Sequence, residues 1–169
     1  MTRRIDRAGF VLLGGASRCM GQDRALLPLG AVTMVKGIAA KVRAAAGNVT
    51  LIGSPEKYGH LGLPVVPGPL GGFYTALRRT EADWDVLVAC DTTHVTAEGL
   101  DGDCVVPVAG KIPLCADYHR HLVTAAESPI HRKLFKMQDF VSTLRTSYWR
   151  VTDAWTLLNV NTPAEWSTR

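Results

Sequence analysis

Short apolar runs, separated by glycines and polar residues, recur along the chain and predict buried strands. Residues 8–13 form a continuous apolar run that ends at a glycine pair, as expected of a strand covered on both faces. Residues 49–52, 65–66 and 84–90 predict three more strands. From Val86 onward the last of these is apolar without alternation, which is typical of a strand in a parallel sheet.

Helical patterns fill the intervals between these strands. Thr33 can cap a helix that runs to about Ala46 and stops at Gly47. The other predicted elements are helices at residues 73–79, 118–126 and 129–144, strands at residues 104–108, 112–116 and 155–160, and a terminal helix capped by Thr162. Alternating strands and helices favour an open α/β fold with a mostly parallel sheet.

Length and composition indicate a globular class. The chain has 169 residues, of which 47% are hydrophobic and 20% charged, so we expect a single domain spanning residues 1–169. No apolar run approaches the ~20 residues of a membrane span. The four cysteines show no C-x-x-C spacing and no export signal precedes them, so we expect reduced thiols, a cytoplasmic location and no membrane partner.

The net charge of +4 suits either nucleic acid or anionic small molecules. No basic stripe interleaved with aromatic residues and no zinc-finger spacing is present, so we expect no nucleic-acid partner. Between residues 128 and 150, basic side chains outnumber acidic ones; they include Arg132, Lys133, Lys136, Arg145 and Arg150. This segment is either an ordinary solvated face or a surface that meets a phosphorylated partner.

Three polar features follow predicted strands, at the edge where open α/β sheets bind ligands. They are the Gly14-Gly15 loop after the first strand, Asp91 after the strand at residues 84–90, and the pair Asn159 and Asn161 after the last strand. Because the carboxyl ends of parallel strands share one edge, we expect these features to lie close together.

The glycine loop has the composition of an anion site. Gly14 and Gly15 remove side chains where the strand turns, so that backbone N–H groups can donate to a phosphate. Arg18 and Arg24 lie in the same loop and carry permanent charges. The Walker pattern G-x-x-x-x-G-K-[ST] is absent, and either arginine could instead be an ordinary surface residue.

Asp91 directly follows a buried strand. A carboxylate there can hold Mg²⁺, a cation that takes one or two protein carboxylates beside substrate phosphates. The competing interpretation is an aspartate that caps a turn through its side chain. Local sequence favours neither.

Several motifs together resemble one known family. LLGGASRCMGQDRALL at residues 12–27 resembles the L-x-G-G-x-S-x-R-M-G-x-D-K-A-L-L signature of the molybdenum cofactor guanylyltransferases. PLGGFYTAL at residues 69–77, ACD at 89–91, IPLCA at 112–116 and NVNTP at 159–163 resemble its further motifs, in the family's order. The resemblance therefore spans most of the chain.

This resemblance implies a three-layer α/β/α nucleotidyltransferase fold of Rossmann-like type. It also implies Mg²⁺-dependent transfer of GMP from GTP to the terminal phosphate of molybdopterin, with release of pyrophosphate, and molybdoenzymes or cofactor-delivery proteins as further partners. The implied nucleotide contacts are Leu12, Leu13, Gly14, Gly15, Arg24 and Asp91, with Asp91 as the metal ligand and with Arg18 and Arg24 neutralising the triphosphate. The residues expected on the acceptor side are Asn159, Asn161, Arg132, Lys133 and Lys136.

The chain departs from the family pattern within its phosphate loop. Cys19 replaces the family arginine, Arg24 replaces its lysine, and Thr93 replaces a proline after the A-C-D motif. The loop ahead of Pro67 is also short and lacks an aspartate found in many members. These departures leave two alternatives open. One is a non-catalytic descendant that binds nucleotide or pterin as a carrier or regulator, and the other is a relative with altered specificity, such as use of CTP.

Overall fold

The computed structural model describes residues 6–13, 23–67, 72–92, 115–132 and 137–146. Five strands within these ranges form one sheet: β1 (Arg7–Leu12), β4 (Thr50–Gly53), β5 (Val65–Pro67), β6 (Trp84–Ala89) and β7 (Cys115–His119). Their order in the sheet is β5-β4-β1-β6-β7. β1, β4, β5 and β6 are parallel, and β7 pairs antiparallel with β6. The predicted mostly parallel sheet is confirmed.

Helices and a small hairpin connect the strands. The helices are α1 (Met34–Ala46), α2 (Pro55–Tyr58), α3 (Gly72–Arg79), α4 (Leu122–His131) and α5 (Met137–Ser142). A hairpin of β2 (Pro28–Leu29) and β3 (Val32–Thr33) precedes α1. The sequence patterns identified neither this hairpin nor α2.

Both faces of the sheet are buried, which gives the three layers of the predicted fold. On one face the side chains of Val11, Val86 and Val88 pack against α1, which contributes Ile38 and Val42. The opposite face packs against α3, α4 and α5; its cluster includes Phe10, Leu87, Phe73, Ile130 and Phe140. This two-sided burial explains why β6 is apolar without alternation.

The ends of α1 follow the prediction in position. Thr33 occupies the N-terminal cap position, although its side chain makes no capping hydrogen bond. Gly47 follows the helix with a φ of 83°, and its N–H donates to the carbonyl of Arg43. A left-handed residue at this position favours glycine, and the sequence therefore located the end of the helix correctly.

Two predicted helices are wrong in their bounds. Residues 118–126 do not form one helix, because Tyr118 and His119 complete β7 opposite Asp85 and Trp84. Pairing with β6 buries this edge, whereas the local pattern suggested a helix. Residues 129–144 are not one helix either: Pro129 lies inside α4, and a separate helix, α5, follows. The predicted strands at residues 104–108 and 155–160 and the terminal helix capped by Thr162 lie outside the described residues.

Among the helices of the described residues, none combines the length and apolarity that crossing a membrane requires.

Candidate active site

The carboxyl ends of three parallel strands meet at one edge of the sheet. Leu12 is in register with Ile52 of β4 and with Ala89 of β6. The Leu13 N–H donates to the Ile52 carbonyl at 2.9 Å, and the Cys90 N–H donates to the Leu12 carbonyl at 3.1 Å. The strand that leads into the glycine loop therefore ends beside the strand that leads into Asp91, as the sequence predicted. The predicted site residues Gly14, Gly15, Arg18, Asn159 and Asn161 lie outside the described residues.

Arg24 and Asp91 face each other at this edge. The Arg24 Nη1 atom lies 3.1 Å from the Asp91 Oδ2 atom, and their side chains are 19% and 14% exposed. Arg24 begins a single turn of 3₁₀ helix, Arg24–Leu26, whose central residue Ala25 is fully buried. The structure thus brings together a cation and a carboxylate that lie 67 positions apart in the chain, and it leaves both partly accessible.

The same turn is held by a carboxylate that the sequence patterns did not single out. One oxygen of Asp23, Oδ1, accepts a hydrogen bond from the Ala25 N–H at 3.1 Å. The other oxygen, Oδ2, accepts one from the Tyr58 hydroxyl at 2.7 Å and lies 2.8 Å from the Lys57 Nζ atom. Tyr58 and Lys57 belong to α2, which the sequence patterns did not identify. No local pattern in the sequence could have joined them to Asp23.

These contacts set the charge state of Asp23. Burial alone would raise the pKa of this carboxyl, but the hydrogen bonds from Lys57, Tyr58 and the Ala25 N–H, with the positive charge of Lys57, hold the pKa below its ordinary value of 3.8. Burial, followed by the hydrogen bond to Asp23 and its charge, raises the pKa of the Tyr58 hydroxyl well above its ordinary range. At neutral pH Asp23 is therefore a carboxylate and Tyr58 a neutral phenol.

Leu12 and Leu13 present different groups to this edge. The Leu13 side chain is buried in the core on the α1 side of the sheet, so its backbone is the part left for a ligand. Leu12 lies on the other face against the start of α3, where a Cβ atom added to Gly72 would come 2.5 Å from the Leu12 Cδ2 atom. The glycine at residue 72 therefore lets α3 begin close to the end of β1.

Cys90 adds no charge beside Asp91. Cys90 and Cys115 are free and buried, and burial raises the pKa of each thiol to about 12. Both side chains belong to the core on the α1 side of the sheet, as expected of reduced core thiols. The other two cysteines, Cys19 and Cys104, lie outside the described residues.

Arg132 lies near the same end of the fold. It is exposed and directly follows α4. The Tyr74 hydroxyl of α3 donates to Glu127 of α4 at 3.0 Å, and the Tyr74 and His131 rings lie 6.1 Å apart. Because α3 begins against Leu12, these contacts place the last turn of α4 towards the edge of the sheet at which Arg24 and Asp91 meet. Lys133 and Lys136 lie outside the described residues.

Two neighbouring histidines, His119 and His121, lie close together just before α4. His119 ends β7, His121 precedes α4, and their rings lie 4.2 Å apart. Burial, together with the neighbouring His121, lowers the pKa of His119. This pair lies opposite Trp84, at the start of β6 and away from Asp91. Within the described ranges, no three histidine, cysteine or carboxylate side chains group together as a metal site.

A family model described as the MobA-like NTP transferase domain matches residues 9–127. The chain belongs to this family. It is accordingly a nucleotidyltransferase, and the resemblance inferred from its motifs is confirmed. The match includes Arg24, Asp91 and the α2 segment that holds Asp23.

Individual relatives agree with the family assignment. A protein of Pelotomaculum thermopropionicum named "Probable molybdenum cofactor guanylyltransferase" is 31% identical, with 95% of this chain and 90% of the relative covered. The solved structure of molybdopterin-guanine dinucleotide biosynthesis protein A from Archaeoglobus fulgidus has a TM-score of 0.76 at 19% identity, with 95% of each chain covered. A Mycobacterium tuberculosis protein solved in complex with manganese has a TM-score of 0.63 at 18% identity, with 89% of this chain and 94% of that one covered. The two solved structures establish the likeness of fold.

Proposed function

We propose that this nucleotidyltransferase moves GMP from GTP to the terminal phosphate of molybdopterin. The observation that carries the proposal is the Arg24–Asp91 pair at the carboxyl edge of the sheet, in a chain whose relative is named as a guanylyltransferase of the molybdenum cofactor. In the reaction, an oxygen of the acceptor phosphate attacks the α-phosphorus of GTP. A new P–O bond forms, the bond from the α-phosphorus to the bridging oxygen breaks, and pyrophosphate leaves with that electron pair.

This chemistry requires positioned charges more than a covalent nucleophile. Arg24 is the cation that meets the phosphates, because its guanidinium is permanently charged and can contact phosphate oxygens in a bidentate manner. Gly14 and Gly15 donate backbone hydrogen bonds, Arg18 adds a second cation, and the backbones of Leu12 and Leu13 border the nucleotide. When the triphosphate binds, Arg24 exchanges a carboxylate partner for phosphate oxygens.

Asp91 fits the role of a magnesium ligand. Its carboxylate is partly exposed at the strand end, and Mg²⁺ commonly takes only one or two protein carboxylates beside substrate phosphates. A bound Mg²⁺ offsets negative charge on the reacting phosphates. The manganese complex of the Mycobacterium tuberculosis relative is compatible with a divalent metal in this fold. Asp23 does not compete for the metal role, because donors already engage both of its oxygens.

The acceptor phosphate arrives from the side of α4 in this proposal. Arg132 is exposed after the last turn of α4, and Lys133 and Lys136 continue the same basic segment. Asn159 and Asn161 border the metal or the acceptor from the last predicted strand. A surface for molybdoenzymes or cofactor-delivery proteins, to which the product would pass, belongs to the same proposal.

The rival proposal is a carrier or regulator that binds nucleotide or pterin without turnover. The sequence departures at Cys19, Arg24 and Thr93 favour it, whereas the retained Asp91 and its pairing with Arg24 favour catalysis. A third possibility keeps catalysis but uses CTP. The missing acidic loop ahead of Pro67 leads us to expect weak discrimination between bases, because strong rejection requires polar groups that the wrong base leaves unpaired.

One assay separates these proposals. Purified protein is incubated with molybdopterin, Mg²⁺ and each of GTP, CTP, ATP and UTP in turn, and pyrophosphate release is measured. Release with GTP that depends on the acceptor supports the guanylyl transfer, and faster release with CTP supports the altered specificity. Tight nucleotide binding without pyrophosphate release supports the carrier.

A further inference from the structure

We propose that Asp23 is a positioning residue, fixed by Tyr58 and Lys57, that directs Arg24 towards Asp91 and the nucleotide phosphates. This inference rests on the proposed role of Arg24. It assigns α2, a four-residue helix outside the phosphate loop, a part in arranging the charges of the site. Three observations carry it.

The first observation is that Asp23 fixes the backbone on which Arg24 is mounted. Asp23 precedes Arg24 and caps its turn by accepting the Ala25 N–H. Ala25 is fully buried among core side chains on the α1 side of the sheet. The backbone of Arg24 is therefore held from both sides, by a side-chain cap before it and by a buried side chain after it.

The second observation is that close packing fixes the position of the Tyr58 side chain. Its side chain is 3% exposed, and a Cβ atom on Gly53 would lie 3.0 Å from two atoms of its ring. Gly53 is the last residue of β4. The Cβ atom added to it would also lie 3.0 Å from the Leu13 Cβ atom, at the end of β1. Packing therefore fixes the Tyr58 hydroxyl, which donates to Asp23, relative to the ends of β4 and β1 beside the candidate site.

The third observation concerns charge. Asp23 directly precedes Arg24, so the negative charge of its carboxylate lies close to the site and competes with Asp91 for the guanidinium unless other donors engage it. Lys57 and Tyr58 instead occupy Asp23 Oδ2, at 2.8 Å and 2.7 Å, while Arg24 reaches Asp91 at 3.1 Å. Because Lys57 and Tyr58 donate to the Asp23 carboxylate, its negative charge neither attracts the Arg24 guanidinium away from Asp91 nor strongly repels a bound triphosphate.

The central test compares Tyr58→Phe with Tyr74→Phe. Each removes one tyrosine hydroxyl that donates to a carboxylate, but Tyr74 bridges α3 and α4 through Glu127 instead of contacting Asp23. Titration calorimetry measures the dissociation constant for GTP. We expect Tyr58→Phe to raise it about tenfold, the size expected for a hydrogen bond to a charged group, and Tyr74→Phe to leave it within about twofold.

A positioning role also predicts coupling with Arg24. In an Arg24→Ala background, Tyr58→Phe should have almost no further effect on the GTP dissociation constant, because the group that it positions is gone. Equal effects of Tyr58→Phe in both backgrounds would overturn the inference, because the Tyr58 hydroxyl would then act independently of Arg24. Equal effects of Tyr58→Phe and Tyr74→Phe in the original protein would overturn it as well.

A second readout needs no nucleotide. The side-chain Nε–H signal of Arg24 in a ¹⁵N correlation spectrum, assigned by its loss in Arg24→Lys, should shift or broaden in Tyr58→Phe and stay in place in Tyr74→Phe. A protein that binds no GTP would contradict the proposed function, and the signal would still decide this inference. An Arg24 signal unmoved by Tyr58→Phe would overturn the inference, whatever the protein binds.

Discussion

Two arginine–aspartate ion pairs with the same closest N–O distance lie at opposite ends of the sheet. The Arg24–Asp91 pair and the Arg7–Asp117 pair each have a closest N–O distance of 3.1 Å. Their surroundings differ: the side chains of the first pair are 19% and 14% exposed, and those of the second are 7% and 5% exposed. Arg7 begins β1 and Asp117 lies in β7, so the second pair spans β6 near the amino end of β1.

The difference shows what accessibility changes when the contact stays the same. A buried pair is expensive to break, because the remaining charge has no water to replace its partner. A partly exposed pair can exchange partners at much lower cost, since water and bound ligands reach both groups. We therefore expect the Arg7–Asp117 pair to serve the fold and the Arg24–Asp91 pair to serve the reaction.

The largest expected effect is on stability. Asp117→Asn should lower the free energy of unfolding by about 3–5 kcal/mol, because it leaves the buried Arg7 guanidinium facing a neutral amide. Urea unfolding followed by circular dichroism measures this difference. The matched variant at the other pair, Asp91→Asn, should change the free energy of unfolding by less than about 1 kcal/mol. Equal losses in the two variants would remove the distinction between the pairs.

When activity is measured instead of stability, we expect Asp91→Asn to have the larger effect and Asp117→Asn the smaller one. We expect Asp91→Asn to lower the rate of pyrophosphate release about 10²–10³-fold at saturating GTP, since a neutral amide no longer offsets charge beside the phosphates. Asp117→Asn, assayed where it remains folded, should stay within about threefold of the original rate. A folded Asp91→Asn protein with near-normal activity would exclude Asp91 from the metal role.

A third carboxylate, Asp85, can be compared with Asp91 and Asp117, because burial is the largest influence on its pKa. Asp85 of β6 is 1% exposed, and burial raises its pKa from 3.8 to about 6, although the neighbouring Thr80 side chain and the charge of Arg120 partly offset this. Because its pKa is raised in the folded state, the contribution of Asp85 to stability is most favourable below about pH 3.8 and is lost as the pH rises through about 6.

Asp85→Asn should abolish this pH dependence. Above pH 7 the variant should be more stable than the original by about 3 kcal/mol, and near pH 4 the two should converge. Urea unfolding of both proteins from pH 4 to pH 8 gives the difference between them, from which the contributions of other groups cancel. A difference that does not change with pH would mean that Asp85 is ionised equally in the folded and unfolded chains.

The smallest expected effect concerns nucleotide affinity. Arg24→Ala should raise the dissociation constant for GTP about tenfold, because a charge-assisted contact to the phosphates is lost. Arg43→Ala is the matched control, since Arg43 is an exposed arginine in the last turn of α1, near the start of β1. Calorimetry on both variants makes the comparison. Equal losses would show that affinity depends on overall positive charge and that Arg24 has no special position.

The sequence predicted those parts of the molecule that depend on local patterns. Apolar runs located β1, β4, β5 and β6, and Gly47 located the end of α1, because burial and a left-handed backbone each leave a signature within a few residues. The shared edge of Leu13 and Asp91 followed from the topology of parallel sheets.

The remaining parts depend on contacts between distant residues. Tyr118 belongs to a strand because β6 lies beside it, and no property of residues 118–126 alone distinguishes that outcome from a helix. In the chain, the β2–β3 hairpin, α1 and β4 separate Asp23 from Tyr58 and Lys57, so the network around Asp23 has no local signature. The roles assigned to Arg24, Asp91 and the glycine loop stay predictions until the variants are assayed.

The position of β1 at the centre of the sheet has a consequence for synthesis on the ribosome. β1 pairs on one side with β4 and on the other with β6, and Arg7 meets Trp84. At roughly 5–20 residues per second, the central strand emerges several seconds before its second neighbour exists. During that interval the apolar side chains of β1 stay exposed, because the nascent chain cannot yet complete the sheet. This is the period in which a chaperone would have the most apolar surface to bind.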